Sequence, residues 1–184
     1  MKRIQKQSEL LKLKETYEKV ILTSDPFINP FKETVEKKLI IFPTDGYYLN
    51  KEQFYALKYA IESVGEEGFF ISESEGDSFT ISSVQDVEFP SQHWKVEESL
   101  NFSEYQSIPL VLENTLYSLR GRWGVQISHE DHAIVGGSAL FIKKFQESYP
   151  NWEHDKERFL EYWSQNNQRY NSDIQWLEEL LKNV

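Results

Sequence analysis

Arg122-Trp123-Gly124-Val125-Gln126-Ile127-Ser128-His129-Glu130-Asp131-His132-Ala133-Ile134-Val135-Gly136-Gly137-Ser138 is the stretch on which the fold turns. Apolar and polar side chains alternate on both sides of Glu130-Asp131, the pattern of two half-buried strands joined by a turn. With Glu130-Asp131 as a two-residue turn, His129 falls opposite His132, Ile127 opposite Ile134 and Val125 opposite Gly136, so one register satisfies both strands. Glu-Asp departs from the Asn-Gly type of tight turn, which leaves a longer loop open.

Toward the C-terminus, Ser138 stands at the cap position of a helix with Phe141, Ile142 and Phe145 inward, ending at Tyr149-Pro150. Asn151 opens a second helix with Trp152, Phe159, Leu160 and Trp163 on one side. A third begins at Ser172, with Gln175 at capping-box spacing and Ile174, Leu177 and Leu181 inward.

Toward the N-terminus, Leu10, Leu13, Tyr17 and Val20 form a helical stripe ended by Ser24-Asp25-Pro26. Residues 25–38 read as loop, and Leu39-Ile40-Ile41-Phe42 as a strand closed by Pro43-Thr44-Asp45-Gly46. Asn50 and Gln53 spell a capping box, Leu49 and Phe54 a hydrophobic staple, and Gly65 a left-handed stop. Residues 68–72 and 78–83 read as strands around an exposed connection over 73–77, and 84–104 as irregular backbone. Residues 108–119 carry both periods: Pro109 before Leu110-Val111-Leu112 suits a strand, whereas Leu112, Leu116 and Leu119 favour a helix. Strands in the middle and helices at both ends predict a single α+β domain over 1–184: an antiparallel sheet with helices packed on one face.

A chain of 184 residues with 12 Phe, 10 Tyr and 5 Trp has ample material for one core. The lack of cysteine removes disulfides, thiolate nucleophiles and cysteine-based metal sites. Gln5-Lys6-Gln7-Ser8-Glu9 interrupts any export signal after Met1-Lys2-Arg3, and no apolar run is long enough to span a membrane. A soluble cytoplasmic protein is expected.

The charge is unevenly placed. Residues 45–104 hold thirteen acidic side chains against Lys51, Lys58 and Lys95, which accounts for the whole net charge of −10. Such a field repels nucleic acid and anionic lipid and speeds encounter with a basic protein.

The sharpest polar cluster is His129-Glu130-Asp131-His132. In the register above the two imidazoles share a face about 5 Å apart, as a shared divalent metal requires. Read otherwise, the cluster is a solvated hairpin tip or a recognition loop. Glu113, Glu130 and Asp131 could pair as acid and base for hydrolysis. Ser138 lacks the Gly-x-Ser-x-Gly frame of a nucleophile elbow, and Gly136-Gly137 matches no phosphate loop. Arg120 and Arg122 beside Trp123 make a grouping of the hot-spot kind, unless Trp123 points inward and the arginines merely flank it. His93-Trp94 either exposes an aromatic or anchors the acidic stretch. No catalytic frame emerges, and no cofactor or metal is expected.

The run from Leu116 to Gly137, with its Tyr117-Ser118, Trp123-Gly124 and Gly136-Gly137, resembles a segment of small bacterial proteins, some of them similar to immunity proteins of polymorphic or contact-dependent toxin systems. The resemblance implies a cytoplasmic protein that neutralises a toxin domain by binding it, without chemistry of its own. A protein partner, basic in character, is therefore expected, with neither nucleic acid nor membrane. Its contact residues would be Glu66, Glu67, Glu73, Glu75, Asp77, Trp94, Glu97 and Glu98, joined by Arg122, Trp123, His129, Glu130, Asp131 and His132. The alternative is a metal-dependent or acid–base hydrolase centred on the His129–His132 tip.

Overall fold

A computed structural model describes residues 1–73, 92–111, 113–182 and 184. In chain order the elements are β1 (Lys2–Arg3), α1 (Gln7–Tyr17), β2 (Lys37–Ile41), α2 (Lys51–Ser63), β3 (Gly68–Glu73), β4 (His93–Glu97) and α3 (Phe102–Gln106). There follow β5 (Asn114–Ser118), β6 (Gly124–Ile127), β7 (Ala133–Gly137), α4 (Ala139–Ser148), α5 (Trp152–Tyr170) and α6 (Trp176–Leu180). The strands form one sheet in the order β1-β4-β3-β5-β6-β7-β2, with every pairing antiparallel. The chain is thus an α+β fold.

Helices cover both faces, which corrects the expectation of a single covered face. Leu39, Ile41, Phe69, Ile71, Leu116, Val125 and Val135 pack with α2, α3 and α4. Their neighbours Ile40, Tyr117 and Ile134 pack on the other side with α1, α5 and α6. The reason lies in the strands: Leu39-Ile40-Ile41 and Ala133-Ile134-Val135 are apolar at consecutive positions, and period-2 geometry sends such runs to both faces.

The central hairpin forms, one residue out of the expected register. Ile127 pairs with Ala133, Gln126 with Ile134 and Val125 with Val135. The Ser128 amide donates to the His132 carbonyl (2.9 Å), leaving His129-Glu130-Asp131 as a three-residue loop with Asp131 at φ 54°. The favoured two-residue turns need positive φ at the first central residue, here Glu130, which resists it; a three-residue loop needs one left-handed residue at its end, and Asp131 supplies it. The slip sends Ser128 and His132 to the α5 side with Ile134.

Other boundaries moved for local reasons. The capping box of Asn50 with Gln53 is present, Gly65 takes φ 70°, and the Ser138 hydroxyl accepts the Phe141 amide. Residues 114–118 are strand instead of helix, because Leu116 and Tyr117 bury on opposite faces. In the stretch expected to be irregular, the described part contains β4 and α3, the latter opened by a second capping box of Asn101 and Glu104. Asn151 makes no cap bond, and the last helix starts at Trp176, after Asp173 accepts the Gln175 amide. The expected strand over 78–83 lies outside the described residues.

Candidate functional site

The one-residue slip dismantles the His129–His132 cluster. His132 lies buried between β7 and α5, its ring against Phe159 and Trp176 and its nitrogens facing the carbonyls of Glu130 (3.4 Å) and Pro26 (3.3 Å). Burial pushes it down to about 4. His129 stays at the surface, where its Nδ1 meets Glu113, its Nε2 faces Glu130 (3.3 Å), and its ring meets the edge of Phe27. The two imidazoles therefore neither converge nor share a face, and no cluster of three or more metal-ligating side chains occurs among the described residues.

Inside the sheet a second polar group comes together that sequence reading missed. His93 on β4, Ser72 on β3, Thr115 on β5 and Gln126 on β6 occupy facing positions across four strands. His93 Nδ1 contacts Ser72 Oγ (2.9 Å), and Ser72 Oγ contacts the Tyr117 hydroxyl (2.9 Å). Gln126 Nε2 donates to the Ser24 carbonyl (2.6 Å). Burial holds Tyr117 well above the usual phenol range and His93 down at about 4, where Arg3 adds a smaller push in the same direction. Serine, histidine and tyrosine in contact suggest a nucleophile and its base, yet all three side chains are enclosed. Ser72 Oγ is shared between two partners, so the trio fastens β3 to its neighbours. The only signal in the sequence was small polar residues at core-facing strand positions.

The expected contact residues divide between surface and interior. Glu67, Glu97, Glu98, Arg122, His129 and Asp131 are exposed and Glu130 is half-buried. Glu66, Glu73, Trp94, Trp123 and His132 are buried and cannot meet a partner, a correction with a distinct cause in each case. The Glu66 carboxylate accepts from the Ser118 hydroxyl (2.7 Å) and the Leu119 amide (3.0 Å), and Glu73 accepts the Val111 amide. Trp94 packs in the α2-side core, and Trp123 stacks on Phe141 at 5.0 Å. Arg120 and Arg122 flank Trp123 at the surface, as the inward reading of that tryptophan required. Glu75 and Asp77 lie outside the described residues.

What remains outside is a set of acidic side chains on and beside α2. Asp45, Glu52, Glu62, Glu67, Glu97, Glu98 and Glu104 are exposed, and each sits on α2, on a connection adjoining it, on α3 or at the end of β4. Register places Glu97 opposite Gly68, and the Glu98 amide donates to the Glu67 carbonyl (2.9 Å), so Glu67, Glu97 and Glu98 gather where α2 ends. Glu52 accepts from Asn151 and Asp45 from Gln106, both neutral amides. None of these seven carboxylates enters an ion pair among the described residues. On α2 Tyr55 and Tyr59 are exposed one turn apart, and the Lys144 ammonium of α4 lies 5.9 Å from the Tyr59 ring centroid.

No described helix is long and apolar enough to cross a membrane. Comparison with protein-family models, with curated proteins and with solved structures finds no match to this chain.

Proposed function

We propose that this chain is a protein-binding module that docks a basic partner through the α2 flank, in the manner of an immunity protein that neutralises a toxin domain in the cytoplasm. One observation carries the reading: seven exposed carboxylates on and beside α2 have no ion-pair partner among the described residues, and the same helix exposes two tyrosines. Uncompensated charge of one sign draws an oppositely charged surface, and tyrosine supplies contact area at low entropic cost. The resemblance of residues 116–137 to a segment of small bacterial proteins, some of them similar to immunity proteins, supports the choice of class. The metal-dependent form of the hydrolase reading is the less favoured, because it calls for His129 and His132 to share a face.

The test is co-purification with the product of the adjacent gene, followed by association kinetics at two salt concentrations. The triple variant Glu67→Lys/Glu97→Lys/Glu98→Lys should slow association by about tenfold or more at low salt, with the difference shrinking as salt screens the field. Tyr55→Ala/Tyr59→Ala should instead speed dissociation. Absence of a protein partner at low salt, or an association rate indifferent to both charge reversal and salt, refutes the proposal.

A further inference from the structure

At the end of the sheet where α1, the end of α2, the β5–β6 turn and the start of α4 meet, the surface opens into a groove of about 670 Å³. Its floor is apolar: Val20, Val35, Val64 and Phe141 line it together with Trp123. Three charged side chains also line it. Glu36 is engaged at the head of α4, where its carboxylate accepts the Ala139 amide (2.9 Å). Lys19 and Arg122 are exposed and make no ion pair among the described residues. Gly121 at φ 69° brings the turn against Lys19, so close that a Cβ there would lie 2.9 Å from Lys19 carbons. That approach holds the Lys19 stem alongside the residue that precedes Arg122. Finally, the indole of Trp123 is fully enclosed, with no acceptor for its Nε1–H among the described residues, so that N–H reports on the groove from within.

We propose that this groove binds a monocarboxylate with an apolar body. Each part of such a ligand meets an unsatisfied part of the site. The body covers the valine and phenylalanine floor, and the carboxylate reaches Lys19 and Arg122. The volume falls in the ordinary range for small-ligand sites, about 300 to 1,000 Å³. One negative charge matches two cations beside one committed anion; a dianion such as a phosphate monoester would be repelled by Glu36. Nothing in this inference depends on the acidic flank or on a toxin partner. The same chemistry is offered by a free aliphatic acid and by a chain terminus that ends in an apolar residue.

The experiment follows the five tryptophan indole N–H signals by two-dimensional NMR of the intact chain, with that of Trp123 identified through its nuclear Overhauser contacts to Phe141. The probes are octanoate and an N-acetylated dipeptide with a free C-terminal leucine, each run beside its own amide. The expected result is a saturable shift of the Trp123 signal with at least one of the two acids and not with its amide. Octanoate alone assigns the free acid, and the dipeptide alone assigns the chain terminus. In the double variant Lys19→Ala/Arg122→Ala, which alters exposed side chains only, the same shift should need about tenfold more ligand. No shift with either acid overturns the proposal. So does an equal shift with the amides, or undiminished binding by the double variant.

Discussion

Lowering the pH from 7 to 5 should destabilise this protein through two histidines that the fold keeps neutral. His93 and His132 are buried and each is pushed down to about 4, while an unfolded chain titrates them near about 6.5. Between those values the unfolded state binds a proton that the folded state refuses, so stability falls as pH falls through this window and is fully present above it. Integrating over pH 7 to 5 gives about 1.8 kcal/mol per histidine, or about 3.7 kcal/mol for the pair, as an upper estimate. The surroundings make the penalty hard to relieve. His93 faces Ser72 and the Arg3 charge; His132 is packed against two aromatic rings near His129, and the Glu130 and Pro26 carbonyls, which favour the protonated ring, only partly offset its burial. The assay is urea unfolding followed by far-ultraviolet circular dichroism at half-unit intervals across the window, stopped at pH 5 because carboxylates begin to titrate below it. His93→Gln and His132→Gln lower absolute stability by disturbing their contacts, so the quantity to read is the slope against pH, which each variant should reduce by about half. Superimposable curves at pH 7 and 5, or a double variant with the full slope, would refute the reasoning.

Three further outcomes follow from packing and capping. Gly136→Ala places a Cβ 2.6 Å from the Phe31 ring, and the overpacking should cost about 1–3 kcal/mol in the same assay. Asp155→Ala should destabilise by about 3 kcal/mol or more, since its buried carboxylate takes the Phe42 amide and the Tyr149 hydroxyl (3.0 Å each) and faces Arg158; loss of less than about 1 kcal/mol would show that those donors find other acceptors. Asn50→Ala and Asn101→Ala each remove the side chain of a capping box and should cost about 0.5–2 kcal/mol, additively because the two helices cap independently.

The parts of the fold that were legible in the sequence are those with a local chemical cause. The Asn50–Gln53 capping box, the Gly65 stop and the Ser138 cap each involve residues within a few positions of one another, and all three hold. Asn101 and Glu104 carried the same signal as Asn50 and Gln53 and could have been read the same way; the weak apolar pattern around them hid it. The hairpin was visible, but its register depended on which loop residue tolerates positive φ, and the choice fell to Asp131 in a three-residue loop. Residues 114–118 were misread because leucines spaced by three and four satisfy a helix as well as a doubly buried strand. The difference is made by helices that reach the sheet from both sides, which no local window contains. The same long-range fact decided the site: Glu66 and Glu73 look like members of an acidic surface until Ser118, Leu119 and Val111 arrive from distant sequence to hydrogen-bond them.

Covering the sheet on both faces also determines where function can reside. Side chains with the greatest intrinsic reactivity, among them His93, Ser72, His132 and Asp155, are drawn inside and spend their hydrogen-bonding capacity on fastening strands and helices to one another. A buried group that is already satisfied has no reason to exchange its partner for a substrate. The charged groups without ion-pair partners among the described residues lie at the surface: carboxylates along α2, and Lys19 with Arg122 in the groove that borders the end of that helix. In the folded chain neither set satisfies the other, which leaves each to a molecule from outside: a basic protein for the flank and a small carboxylate for the groove. The two readings are separable by one comparison. Charge reversal at Glu67, Glu97 and Glu98 should not abolish the Trp123 response to octanoate or the dipeptide, while Lys19→Ala should leave the dissociation rate of the basic partner unchanged. Cross-effects in both directions would show that the two surfaces act as one.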